Sequence, residues 1–497
     1  MSQESQTLPP EATPEDILQR ATIDKSTRLP VLFFFTSAAV WLFIATVLGL
    51  LASIKLVIPG FLDCEYFNYA RVQPAFINAL VYGWAFQAGI GVMIWIMARL
   101  CRTELRNPLT LVVAGHFWNL GVTLGVLGIL GGLGNLHMGC LLDFPAMIWP
   151  ILLVSYSLVV VWMVIMYAAR RKGMVYISQW YVLAAVFSWP WLYLVTNMVI
   201  HVLKKTGPAG PVIASIYGNS VLFLWMVPVG LAAAYFIIPK ITARPVHSYN
   251  LSTLAFWSLI VLAPWSGAQR LIGGPVPAWI PAWSGMAQIL LLIPMLAVAL
   301  NHYQTVRGSH QLVTISPSLR FTFFGGIGFG TTCIVAALLS SMSVSRFTFL
   351  SYAEDALQMT GYYMFFTMAM FGAIYFIIPR VTGCEWVSGK WIRLHFWSSA
   401  YACIFLCILL LVAGLSQGAA IESWGRDFLS ATMFSRGYLV GRIIMWCFLL
   451  FANFVFLRHL SLMVLNRGRK AGLPTMIHPV ASHSAAPISL SSEGAQA

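Results

Sequence analysis

The stretch Tyr235-Phe236-Ile237-Ile238-Pro239-Lys240-Ile241-Thr242 decides the fold because it occurs twice. It returns 140 residues later as Tyr375-Phe376-Ile377-Ile378-Pro379-Arg380-Val381-Thr382. Each copy leads into a Phe-Trp pair, Phe256-Trp257 and Phe396-Trp397, at the same offset. A fainter copy precedes both. Trp95 to Arg99 stands 140 residues before Tyr235 to Pro239, and Phe117-Trp118 stands 139 before Phe256-Trp257. Self-similarity at a fixed period marks a repeat architecture, and each period here holds about four apolar runs.

Those runs are long enough to cross a hydrocarbon core, which takes about 20 apolar residues. Twelve are read, at roughly 31–55, 76–98, 109–134, 144–168, 175–203, 212–239, 251–270, 281–302, 320–343, 356–379, 394–417 and 436–458. Backbone polar groups have no water to bond in lipid, so the runs are helices. Three repeats of four account for all twelve. An even number of helices per repeat keeps the copies parallel about an axis along the membrane normal. The fold class expected is therefore an all-α integral membrane protein, twelve transmembrane helices in three pseudo-threefold arcs of four.

Composition agrees. Of 497 residues, 59% are hydrophobic and 9% are charged, against about 25% charged in soluble domains. A soluble enzyme, a disordered chain and a nucleic-acid binder are excluded. The net charge of +14 is instead an orientation signal. The side holding both termini carries 20 of the 29 Lys and Arg, for a net +12, against +2 on the other side. The positive-inside rule then makes both termini cytoplasmic, in a bacterial inner membrane.

Residues 1–29 read as a polar tail, with Thr13-Pro14-Glu15-Asp16 starting a short helix. Residues 30–460 form the membrane domain. Residues 461–497, rich in Ser, Ala, Gly and Pro near the end, read as a disordered cytoplasmic tail.

Further segments carry a resemblance. Arg244-Pro245-Val246-His247-Ser248-Tyr249-Asn250-Leu251-Ser252, followed by Phe256-Trp257, is similar to a segment of subunit I of the heme-copper oxidases, closest to the cbb-type (C-family). Arg71 to Ala79, Tyr217-Gly218, Trp265-Ser266-Gly267, Gly372 to Tyr375 and Gly437-Tyr438 extend the match over about residues 60 to 460. The resemblance implies twelve helices in three arcs, and six histidines that hold two hemes and one copper.

At the positions that correspond to those histidines stand other residues. The low-spin heme ligand of the second helix falls on Phe76. The copper ligands fall on Asn219, Gln269 and Arg270. The histidines of the tenth helix fall on Leu357 and Met359, and the tyrosine that the family cross-links to a copper ligand falls on Ala263. No histidine occurs between His310 and His395.

Read without any family, the ten histidines say the same. His247, His302, His310, His395 and His459 are placed at cytoplasmic ends or loops, and His478 and His483 in the tail. Only His116 lies inside a span. His137 and His201, at outer ends, are the one pair that could flank a heme, against the plainer reading of interfacial histidines. Met359 is read as packing, one of 21 methionines. No catalytic residue, metal site or cofactor is expected. Gly131-Gly132-Leu133-Gly134 is read as close helix packing.

Intramembrane ions are costly and mark function. Arg270 is expected to pair with Glu354 or Asp355, or else to reach the headgroups. Arg442 needs a partner that the sequence does not name. The family's proton-route glutamate falls near Thr332, and no span core holds Asp, Glu or Lys, so proton pumping is not expected. Cys64 and Cys140, in outer loops, are a candidate disulfide.

Three functions follow. The first is a subunit I homologue without redox cofactors, structural or assembly-related, partnered by other membrane subunits of a respiratory complex, cytochrome subunits among them, and by the bilayer. The second is an active terminal oxidase taking electrons from cytochrome c. The third is a small-molecule channel or transporter lined by Asn78, Gln87, Gln288 and Gln358.

Overall fold

A computed structural model describes residues 13–135, 140–203 and 207–470. Among the described residues, twelve helices are long and apolar enough to cross a membrane: span 1 (Pro14–Val57), span 2 (Tyr69–Cys101), span 3 (Pro108–Leu130), span 4 (Trp149–Ala168), span 5 (Ile177–Val202), span 6 (Ala209–Thr242), span 7 (Tyr249–Leu271), span 8 (Trp279–Val306), span 9 (Pro317–Ser340), span 10 (Tyr352–Thr382), span 11 (Gly389–Glu422) and span 12 (Arg436–Val464). Their even number puts residues 13 and 470 on one side, called the terminal face. The described residues contain no strand beyond a single bridge between Glu385 and Arg469.

Spans 2, 6 and 10 form an inner ring and are the most enclosed. Each carries a π-helical stretch, at Ala79–Ala85, Val221–Met226 and Thr360–Thr367. These stretches recur at the repeat period, so the local unwinding belongs to the repeat. The Thr360–Thr367 stretch packs against both of the others.

Around the ring the arcs do not follow chain order from residue 1. Span 1 packs on spans 12 and 2, and span 12 on span 11. Spans 3 to 6 and spans 7 to 10 form the other two arcs. The chain thus closes on itself, with its first and last helices in one arc.

On the axis, Trp95, Phe236 and Phe376 meet edge to face, with centroids 5.4, 6.0 and 6.1 Å apart. Such T-shaped contacts are favourable for aromatic pairs. They also correct the register of the faint repeat by one residue, since Trp95 stands with Phe236 rather than with Tyr235.

Two boundaries differ from the sequence reading. Thr13 does cap a helix, its hydroxyl accepting from the Asp16 N–H. That helix is no separate short element, however, and runs unbroken through Pro30 to Val57. At the other end, span 12 continues to Val464, and Arg469 exchanges two backbone hydrogen bonds of 2.9 Å with Glu385. Order therefore extends past residue 461. His137 and the tail beyond 470 lie outside the described residues.

Candidate functional site

Span 7 loses its α-helical form before its end. After Leu262 the chain makes a tight turn at Ala263–Trp265, then Gly267 at φ 118°, then a second turn at Ala268–Leu271. Gly267 is required there because a Cβ would come within 2.6 Å of the Ser215 carbonyl and 2.9 Å of the Asn219 Cβ. This close approach of spans 6 and 7 brings Asn219 and Gln269 into one polar cluster.

Asn219 Nδ2 donates to Ser266 Oγ at 2.7 Å and to Gln288 Oε1 at 3.2 Å. Gln269 Nε2 reaches the same Gln288 oxygen at 3.5 Å. Gln269 Oε1 accepts from Ser284 Oγ at 2.8 Å and from the Gly267 N–H at 2.6 Å. All five side chains are buried. Ala263 is buried beside them, its carbonyl accepting from Ser266 Oγ. Gln288, Ser266 and Ser284 were not foreseen as members, although Gln288 stood out as an intramembrane amide.

Arg270 continues the cluster toward the face opposite the termini. It lies 3.3 Å from Glu354 as an ion pair. Asp355 does not join it. Asp355 instead accepts from Arg442 at 2.8 Å, and Arg442 also donates to Ser53 at 3.0 Å. Two adjacent carboxylates therefore answer two different arginines, and Arg442 has the partner that the sequence left open. Arg270, Glu354 and Asp355 rim a cavity of about 390 Å³ with Gln73, Asp143 and Gln358.

In the arc of spans 11, 12, 1 and 2, Phe76 is buried edge to face against Trp446, 4.9 Å between centroids. A Cβ at Gly49 would meet Trp446 at 2.7 Å and Phe76 at 3.0 Å, so the three pack to contact. The arc of spans 3 to 6 is filled by aromatic rings. Phe86 stacks on Trp225 at 3.8 Å, and Tyr82 and Tyr217 share a hydrogen bond of 2.6 Å. Leu357 and Met359 are buried among apolar side chains of the core.

The histidines lie elsewhere. His116 is exposed, with its Nδ1 beside the Val112 carbonyl, and His201 is partly exposed at the end of span 5. His395 and His459 are fully buried rather than loop-like, flanking Tyr375. His395 Nδ1 bonds the Tyr375 hydroxyl at 2.9 Å, and His459 accepts from the Ser388 N–H. Aromatic neighbours Phe371, Trp386 and Phe456 enclose them, a tertiary effect that chain position does not reveal.

The candidate pair Cys64 and Cys140 is not bridged in this structure. Cys64 is exposed, while Cys140 is buried with its backbone against Gly218. Burial raises the Cys140 thiol pKa above the usual range. The proposed transport lining is also internally bonded. Asn78 donates to Asp143 at 2.7 Å, and Gln87 bonds Asn119. Thr332 returns its hydroxyl to the Gly328 carbonyl.

Comparison with known proteins decides the family. Residues 29–448 match cytochrome c and quinol oxidase polypeptide I. The chain belongs to that family. It is 23% identical over 396 residues to the cbb3-type cytochrome c oxidase subunit CcoN1 of Stutzerimonas stutzeri, covering 78% of this chain and 82% of that one. It is 24% identical over 395 residues to a cytochrome c oxidase subunit 1 homolog of Agrobacterium tumefaciens (strain T37), covering 76% and 71%. Among solved structures, a chain of a heme-copper terminal oxidase dimer superposes with a TM-score of 0.68 at 15% identity, covering 92% of this chain and 88% of that one. This last likeness supports the fold.

The residues present do not fit the hemes and copper that the resemblance implies for a family member. At the positions that the resemblance aligns with the ligands stand a benzyl ring, two amides, a guanidinium, an isobutyl group and a thioether. Both amides spend their carbonyl or amino groups on each other's neighbours. Imidazole, the usual axial ligand of iron in such sites and the converging donor that such copper needs, stands at none of these positions, and the one thioether, Met359, is packed in the apolar core. Among the described residues, no group of three or more His, Cys, Asp or Glu could hold a metal ion.

Proposed function

We propose that this chain is a subunit I homologue that has lost heme and copper and serves as a structural or assembly subunit of a respiratory membrane complex. The observation that carries the reading is the Asn219–Ser266–Gln288–Gln269–Ser284 cluster, which engages Asn219 and Gln269, two of the three residues that the resemblance aligns with copper ligands. A buried amide cluster whose hydrogen bonds are made, apart from that of Gln288 Nε2, stabilises the helix contacts directly. The Phe76–Trp446 contact at the low-spin heme position supports the same reading.

The partners are other membrane subunits of the complex, cytochrome subunits among them. The membrane is a bacterial inner membrane with both termini cytoplasmic, a reading supported by the charge asymmetry and by the bacterial relatives. Oxygen reduction by this chain alone is not part of the proposal. The internal bonding of Asn78, Gln87 and Gln288 disfavours a transport path.

Affinity purification of the tagged chain from its native membranes tests the role. Recovery with cytochrome subunits in fixed ratio is the result expected. Recovery of the chain alone, with unchanged assembly of those subunits in a deletion strain, overturns it.

A further inference from the structure

The repeat that places Trp95, Phe236 and Phe376 on the axis also places a cation one turn beyond each. Arg99, Lys240 and Arg380 stand at matching positions at the terminal-face ends of spans 2, 6 and 10. Arg20, from the first turns of span 1, reaches the same point, since Arg99 donates to its carbonyl. The four charges repel one another across this space.

Two adjoining cavities, of about 550 and 450 Å³, open here and share Arg20 and Arg99 as their common wall. Lys240 lines the first, and Arg380, Lys25 and Arg28 the second. Their acidic lining is sparse. Asp24 is already engaged, accepting from Arg99 at 3.1 Å and from Trp95 Nε1 at 3.0 Å. Asp16 lines only the first cavity, and Glu385 acts on Arg380 from outside the lining. Positive charge that headgroups neutralise belongs on the lipid-facing rim. Arg99, Lys240 and Arg380 instead stand at the ends of the three inner-ring spans, and side chains from the first turns of span 1 line both cavities.

We infer that these two adjoining cavities together bind a phosphate-bearing polyanion, with Arg20 and Arg99 on the shared wall, Lys240 in the first and Arg380 in the second. Guanidinium groups bind phosphate oxygens in pairs, and an ammonium adds a point charge. The ligand is either a soluble diphosphate compound or the headgroup of an anionic lipid, which share this chemistry. The site lies on the opposite face from the Arg270–Glu354 rim, so it stands whether or not the chain binds metals.

The test uses the full-length chain purified in a neutral detergent. Sodium pyrophosphate and phosphatidylglycerol mixed micelles are titrated separately while thermal unfolding is followed, with sodium chloride at matched ionic strength as control. Saturable stabilisation by pyrophosphate alone identifies a soluble ligand. Saturable stabilisation by the lipid alone identifies a headgroup, and both together support the shared chemistry. The double variant Lys240→Gln/Arg380→Gln should weaken the response at least tenfold, while Lys240→Arg/Arg380→Lys retains it. No saturable response to either probe, an equal response to chloride, or unchanged binding by the glutamine variant overturns the inference.

Discussion

The guanidinium of Arg442 lies 2.8 Å from the carboxylate of Asp355, joining span 12 to span 10 where the inner ring meets the closing arc. Only 3% of the arginine side chain is exposed. Removing one member of a buried pair strands the other charge, at a cost of about 3–5 kcal/mol. Asp355→Ala should therefore lower the thermal midpoint far more than Glu354→Gln, whose pair with Arg270 is partly exposed on both sides. Adding Arg442→Met to Asp355→Ala should restore most of the loss. Equal midpoints for the two single variants would remove the pair from the account.

The amide cluster gives a second expectation. Asn219→Leu keeps the volume but strands Ser266 Oγ as an acceptor and leaves Gln288 Oε1 with one weak donor. Each unsatisfied buried group costs about 1–3 kcal/mol. Unfolding in detergent should show destabilisation of that order, and Asn219→Gln should recover part of it. A neutral Asn219→Leu would mean that water already reaches the cluster.

Glycine contacts give a sharper contrast between spans 11 and 9. A Cβ at Gly418 would sit 1.5 Å from the Phe347 carbonyl oxygen, whereas one at Gly326 meets nothing within 4 Å. Overpacking of this kind typically costs about 1–3 kcal/mol or more. Gly418→Ala should reduce the yield of folded, monodisperse protein in size-exclusion chromatography, and Gly326→Ala should not.

How far these relationships were legible in the sequence follows their range. The spans, the repeat and the Arg270–Glu354 pair depend on periodicity and on charges at adjoining helix ends, which the sequence displays. The Arg442–Asp355 pair needs the closure of span 12 onto span 1, set by packing between the two ends of the chain. Likewise, His395 and His459 are polar residues near apparent loops, and they are buried because Trp386 and Phe456 fold over them. The π-helical stretches had no sequence signal that was read.

Thiol chemistry separates Cys64 from Cys140. Exposed Cys64 should alkylate in the folded protein, while buried Cys140, with its raised pKa, should alkylate only after denaturation. Peptide mapping of both states checks this. A Cys64–Cys140 cross-linked peptide under nonreducing conditions would contradict the arrangement.

The central claim is that this family member folds with side chains where its relatives' cofactors would be. The most direct measurement is a reduced-minus-oxidised spectrum with metal analysis on the full-length chain, purified from the membranes of a heme-replete, copper-replete host. The account predicts a folded protein with neither heme nor copper above background. A stoichiometric b-type heme spectrum, or stoichiometric copper, would contradict it.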